Sequence, residues 1–350
     1  MEKLLINASG LVANFLEKYQ IWKDYNKFYN DDNHVSMVEI NPHGIPVFHY
    51  QDIDKINKST SSLIAIDCVS EGLHSHPYFS QYSKNKHYII FSNGIWLKDT
   101  IDFGISYDLV SHLFGLFEMA DTYLSPNRFC FYLDKDYKFD YPKPCIFTST
   151  VGNVRPERDY VVGALTDNLT YKNFILRYSG QNFGITADQF DMIQFRLGQF
   201  DPYIHILEKY YHNVCQTLPI QMYNQSYFNL VVETEIDYAD NFFLTEKTIK
   251  TLLTGMPFVV VSTPNFLKNL QQLGFTTYNE LWNESYDSIL DYKNRIDAIV
   301  DLCNNLGQFD WESNKSRLAE IQLKNRNNFF NLNRVARQEF KNFENIIKQL

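Results

Sequence analysis

Three groups of residues have types and spacings that could do chemistry. The first is Thr245-Glu246-Lys247, about a dozen residues beyond Glu233. If a helix opens at Thr245, its free N–H groups face a phosphate, Lys247 adds a full positive charge, and Glu246 can accept hydrogen bonds from ribose hydroxyls. The second is Arg158, in R-P-E-R-D after the turn T-V-G-N, with Arg155 as a second candidate. An arginine in the first turn of a helix meets a phosphate with a planar fork and a permanent charge. The third is the loop that gathers Asp67, Ser70, Glu71, His74 and His76.

Each group also has a plainer use. Thr245 can simply cap a helix, Glu246 complement its dipole and Lys247 sit in solvent, and a bare T-E-K is read that way first. A lone arginine usually pairs with neighbours such as Glu157 or Asp159. In the third loop three uses compete. Asp67, Glu71, His74 and His76 could hold a metal, although H-x-H is weak spacing for zinc. Asp67 and Ser70 could bond loop N–H groups. Glu71 or Asp67 could act as a general base.

The elements that must position these residues follow from periodicity. Residues 228–232 form an apolar run ending at Glu233. A helix opens near Thr245 and is closed by Gly255 and Pro257, a second apolar run covers 257–261, and another helix opens near Pro264. This β-α-β-α pattern predicts a parallel sheet with Glu233 at its carboxyl edge, where ligands of open α/β sheets bind. Upstream, a strand over 145–149 leads to Gly152 and Asn153, which suit a tight left-handed turn. Pro156 then opens a helix running to about Asn168. A strand over 173–178 ends in S-G-Q-N-F-G, a loop at the same edge whose Ser179 and Gly180 could touch the base or sugar.

The first half reads as strands over 35–40, 46–50, 63–68 and 88–92, and the Asp67 loop falls at the carboxyl edge if that sheet is also doubly wound. Residues 2–28 have near-helical apolar spacing, and 107–120 are rich in helix formers. Pro142 and Pro144 make 138–144 an extended linker, which divides the chain into 1–142 and 143–350. His205 and His212 lie in a helical stretch over 194–217 and are read as structural. Residues 289–350 read as helices.

Composition narrows the classes. The 350 residues are 45% hydrophobic and 16% aromatic, enough to fill large cores. A net charge of −9 gives no whole-surface field for nucleic acid or anionic lipid, so any diphosphate site must be local. Five scattered cysteines without C-x-x-C spacing argue against a disulfide framework and a zinc cluster. The opening M-E-K-L-L-I-N-A-S-G has no basic region followed by a long apolar run, and no window has membrane-spanning length. The expectation is a soluble cytoplasmic protein without a membrane span, of a bacterium or of a host cell if its origin is phage or viral.

The strand, Glu233, the loop, T-E-K, the apolar helix, Gly255, Pro257 and the second strand together resemble the C-terminal nucleotide-sugar domain of GT-B glycosyltransferases of the α1,3-fucosyltransferase and exostosin-like kind. I-F-T-S-T-V-G-N-V-R-P-E-R-D-Y-V-V-G-A-L, residues 146–165, resembles the family's strand, loop and arginine-bearing helix, with Arg158 at the arginine position. The resemblance implies two Rossmann-like domains facing across a cleft, with helical terminal segments. It also implies that Glu246 and Lys247 bind the ribose and diphosphate of the donor, that Arg158 joins Lys247 on the phosphates, and that Glu233 faces the sugar or ribose. Residues 283–287 resemble the family's acidic domain ending, and residues 340–350 would cross back to the first domain.

Function follows as transfer of a sugar from a GDP- or UDP-sugar to a hydroxyl of a glycan or other acceptor. Transfer would be inverting and metal-independent, with no cofactor beyond the donor. The first half shows no residue-level match, so Glu71 and Asp67 rest on loop placement alone. The sequence also departs from the family over 237–243. Two alternatives stay open: a non-catalytic nucleotide-sugar or glycan-binding protein, and a phage-type transferase acting on DNA bases, against which the acidic charge stands.

Overall fold

The computed structural model describes residues 8–9, 28–29, 34–37, 47–68, 76–92, 94–96, 104–111, 136–151, 154–178, 181–184, 220–237 and 241–331. The chain is mixed α/β and divides into two compact units, one centred on residues 1–115 and the other on 116–239 and 244–333.

In the first unit β1 (Val47–His49), β2 (Leu63–Cys68), β3 (His87–Ser92) and β4 (Ser106–Ser111) lie side by side in chain order, and each neighbouring pair is parallel. The apolar run L-I-A-I in β2 is buried because this strand lies between two others, as interior parallel strands do. Helix α1 (Ile53–Lys58) follows β1 and drops Ile56 into a core with Phe48, Ile64, Ile66, Phe79, Tyr88 and Ile90. Asp67 pairs in register with His49 and Phe91, at the carboxyl end of an interior strand. A short antiparallel pairing of Gly94–Trp96 with Asn241–Phe243 also belongs to this unit.

The second unit holds the region of interest. Its elements include β5 (Cys145–Val151), α2 (Pro156–Asn168), β6 (Ile175–Tyr178), β7 (Gln181–Gly184), β8 (Ser226–Val232), α3 (Glu246–Thr254), β9 (Phe258–Val261), α4 (Phe266–Gln272), α5 (Tyr292–Leu306) and α6 (Lys315–Asn331). The sheet order is β7-β6-β5-β8-β9, parallel except for β7. From β5 the chain first moves outward to β6, then returns to the opposite side of β5 at β8. The strand order therefore reverses between β5 and β8.

Both faces of this sheet are covered. Every residue of β5 except Thr150 is buried, and Phe147 stacks on Phe174 with centroids 5.0 Å apart. Helix α5 packs on α2, burying Ile296, Ile299, Val300, Cys303 and Leu306 at helical spacing, while α6 packs on α3. Helix α3 starts at the N-cap Thr245 and stops at Gly255, whose φ of 72° is the left-handed conformation that glycine adopts without a Cβ penalty.

Four expectations change. Residues 106–111, counted partly among helix formers, are strand β4, because Tyr107, Leu109 and Val110 suit a pleated partner for β3 and pairing outweighs propensity. The Q-N-F-G of the supposed glycine loop is an antiparallel edge strand. The segment 138–144 is extended, as its prolines require, yet fastened down: Tyr137 donates to the carbonyls of Ser226 at 2.8 Å and Thr254 at 2.9 Å, and Lys143 to those of Lys138 at 2.7 Å and Asn224 at 2.9 Å. The helical reading of residues 2–28 is corrected where the chain is described: Ala8–Ser9 and Phe28–Tyr29 are strands paired antiparallel with His34–Met37, cross-strand pairing having outweighed the helical spacing. The rest of that segment and the expected helices over 194–217 and 340–350 lie outside the described residues. Among the described residues, no helix is long and apolar enough to cross a membrane.

Candidate functional site

The carboxyl ends of β5 and β8 flank the point where strand order reverses, the position at which open α/β sheets leave a crevice for ligands. Residues 154–155 and helix α2 continue from β5; Glu233, Thr234 and Glu235 continue from β8. Most of the donor-site residues read from the sequence converge here.

Glu233 is fully buried. Its N–H continues the ladder to the carbonyl of Val261 at 2.9 Å. Its carboxylate turns onto the start of α3, accepting from the Thr245 N–H at 3.3 Å, from the Thr245 hydroxyl, and from the Thr248 hydroxyl at 2.6 Å. The expectation that Glu233 faces sugar or ribose is corrected. A carboxylate shut away from water needs strong donors, and the positive end of a helix supplies them.

Lys247 is half-buried above this hub. Its N–H donates to Thr245 Oγ1 at 3.3 Å, completing an N-cap, and its ammonium donates to Thr245 Oγ1 and to Thr234 Oγ1, both at 3.3 Å. Thr245 thus caps the helix, as its plainer use requires, and also contacts the Lys247 ammonium. Glu246 is the first residue of α3.

Two arginines approach from α2. Arg158 is 4% exposed, and its Nη2 donates to the Glu233 carbonyl at 3.4 Å. Burial, and then the neighbouring Arg155 guanidinium, draw it below the ordinary arginine pKa; Glu233, Tyr178 and Glu235 oppose that shift. Arg155 is the N-cap of α2 and is more open, with its side chain 31% exposed. Its Nη1 donates to the Thr234 carbonyl at 3.3 Å and lies 3.7 Å from a carboxylate oxygen of buried Glu235. Arg155, Arg158 and Lys247 therefore all contact the three-residue segment 233–235, where two buried carboxylates offset part of their charge.

The neighbouring helix starts differ in how they are closed. The start of α4 is occupied by Asp287, whose carboxylate accepts from the N–H groups of Leu267 at 2.9 Å and Lys268 at 3.1 Å. Burial raises the Asp287 pKa against the pull of these bonds. The acidic segment 283–287 thus serves α4 as a cap. At α2, Arg155 makes no side-chain capping bond, and Pro156 occupies the first turn.

Sequence reasoning missed four contributors. Thr234, Glu235 and Thr248 carry a faint signal, an E-T-E just past an apolar strand and a threonine one turn beyond Thr245. Arg295 carries none, being a basic residue on an amphipathic helix. It is 1% exposed and donates to the carbonyls of Ser262 at 3.0 Å, Leu290 at 3.1 Å, Ile289 and Ile236, so that one guanidinium ties together three segments behind the carboxyl edge.

Gly152, Asn153, Ser179, Gly180, Ser70, Glu71 and His74 lie outside the described residues, and Asp67 and His76 are described in backbone only. Among the described residues no group of three or more His, Cys, Asp or Glu is placed to hold a metal ion. No protein-family model matches the sequence, and no curated protein matches it. The functional reading rests on the site.

Proposed function

We propose that this protein is a glycosyltransferase that binds the diphosphate of a nucleotide-sugar at the carboxyl ends of β5 and β8 and transfers the sugar to an acceptor hydroxyl. The observation that carries the reading is the gathering of Arg155, Arg158, Lys247 and the starts of α2 and α3 at the point where strand order reverses. An anion is what such a set of donors and helix ends binds.

On this reading the chemistry asks little of the protein beyond electrostatics. As the bond from sugar to diphosphate breaks, negative charge grows on the β-phosphate, and prepositioned guanidinium, ammonium and N–H groups stabilise it. Protein cations thereby supply the charge that other transferases draw from a divalent ion. Glu246, at the first position of α3, binds the ribose. Asp67, at the carboxyl edge of the first unit's sheet, or Glu71, four residues on in the sequence, takes the proton of the acceptor hydroxyl for direct attack, with inversion at the anomeric carbon. On this reading the chain is of the GT-B class that its sequence pattern resembles.

The test is a thermal-shift panel of GDP, UDP, ADP, CDP and dTDP on the full chain, each with and without EDTA. Ligand at about a hundred times its dissociation constant adds roughly 2.7 kcal/mol of stability. One nucleotide raising the melting temperature regardless of EDTA supports the reading and names the donor class. No shift with any of them overturns the diphosphate site, and a shift that vanishes with EDTA overturns metal independence.

A further inference from the structure

Thr245 has one hydroxyl and three polar neighbours. The Glu233 carboxylate sits against its Oγ1, while the N–H and the ammonium of Lys247 each lie 3.3 Å from the same oxygen. A hydroxyl has one proton to give and two lone pairs to accept with. Neither Lys247 group can accept, so the Thr245 proton goes to Glu233 and its lone pairs turn to Lys247. The polarity of this chain is set at its buried end by a carboxylate that is fully shut from solvent and also held by Thr248 at 2.6 Å. The second acceptor for the ammonium, Thr234 Oγ1, belongs to the residue next to Glu233.

From this we infer that Glu233 is a positioning residue. Acting through Thr245, it seats the Lys247 ammonium for the diphosphate, and it does not itself touch the donor. The inference rests on the diphosphate reading of the site and assigns within it a role distinct from ribose or sugar binding.

The inference fixes a sign. By Coulomb's law alone, removing a buried negative charge beside an anion site tightens anion binding. If Glu233 orients Thr245, the same change weakens it. In Glu233→Gln the amide can donate to Thr245 Oγ1, which frees the hydroxyl proton to turn toward the ammonium and spoils the seat.

Calorimetric titration of the full chain with inorganic pyrophosphate, GDP, UDP, GMP and UMP reads the outcome. The expected result is a loss of about tenfold in Glu233→Gln for pyrophosphate and for the nucleoside diphosphate that binds the unaltered protein. That loss should disappear in a Lys247→Ala background, because the two residues act through one contact and their effects do not add. Thr245→Val, which keeps the Glu233 charge and the side-chain shape, should lose affinity similarly, and Thr245→Ser should restore it; this pair also covers the case in which Glu233→Gln fails to fold.

Unchanged or tighter pyrophosphate binding in Glu233→Gln, or in Thr245→Val where the first does not fold, overturns the inference. So does a loss confined to the nucleotides with pyrophosphate binding intact, since that pattern belongs to a ribose ligand. If the unaltered protein binds neither pyrophosphate nor any nucleoside diphosphate, the diphosphate reading itself fails and takes the inference with it.

Discussion

Lys247 Nζ donates to Thr234 Oγ1 at 3.3 Å, joining the first turn of α3 to the segment that leaves β8. The ammonium donates equally to the Thr245 hydroxyl at 3.3 Å, so two threonine oxygens on different elements fix where it sits. Lys247→Ala should weaken diphosphate binding by about 1.5–3 kcal/mol, the range for a hydrogen bond to a charged group. The native circular dichroism spectrum should persist, because the main-chain cap of α3 does not use the ammonium. Titration calorimetry of a folded Lys247→Ala protein checks this, and equal affinity would remove Lys247 from the site.

At the other end of α3, Gly255 is required twice. Its φ of 72° strains any residue with a Cβ, and a Cβ built there would lie 1.8 Å from Cγ of Gln322 on α6. Gln322 has its own task, since its amide donates to the Thr254 carbonyl at 2.9 Å. Gly255→Ala should cost roughly 1 kcal/mol for the backbone and more for the clash. Pairing it with Gln322→Ala should remove the clash while sacrificing that hydrogen bond. Urea midpoints of the single and double variants separate the two terms.

The legible parts of this fold were those written in local pattern. The apolar runs ending at Glu233 and Val261, the cap at Thr245, the stop at Gly255 and the proline-led start of α2 each act within a few residues, and each element forms where its own residues direct. The convergence of Arg155, Arg158 and Lys247 followed from placing strands in one parallel sheet. What escaped depends on partners distant in the chain. Whether Glu233 points outward to a sugar or inward to α3 is decided by Thr248 and by burial. Ser106–Ser111 became a strand because β3 was there to pair with it. Arg295 has its role only because Ile236, Ser262 and the turn at 289–290 bring their carbonyls to one place.

Arg295 accordingly offers a prediction about stability. Burial lowers its pKa while Asp237, Asp287 and Asp291 oppose the shift, and its guanidinium satisfies carbonyls from three segments at once. A lysine ammonium is a single point and cannot span them. Arg295→Lys should leave buried carbonyls unmet and cost roughly 3–5 kcal/mol. Chemical denaturation measures the loss, and hydrogen exchange should show it concentrated in residues 233–237 and 262–263. A variant as stable as the original would mean these carbonyls find other donors.

A pH dependence follows from Glu284. Its carboxylate accepts from the Tyr278 N–H at 2.9 Å. Burial raises its pKa from an ordinary 4.5 to about 7, although bonds from Thr277 and Tyr278 pull the other way. The folded protein therefore holds this proton more tightly than the unfolded chain does. Between those two pKa values the native state binds more protons, so stability falls as pH rises. The contribution is fully present below the unfolded pKa and is lost as pH climbs through about 7. Asp287, also raised by burial, adds a change of the same sign beginning at lower pH. Glu284→Gln keeps a carbonyl oxygen for the Tyr278 N–H but has no proton to lose. Urea midpoints compared at about pH 5 and about pH 8 should fall for the original protein and fall less for Glu284→Gln; equal slopes would show that Glu284 titrates near its ordinary pKa in the folded protein.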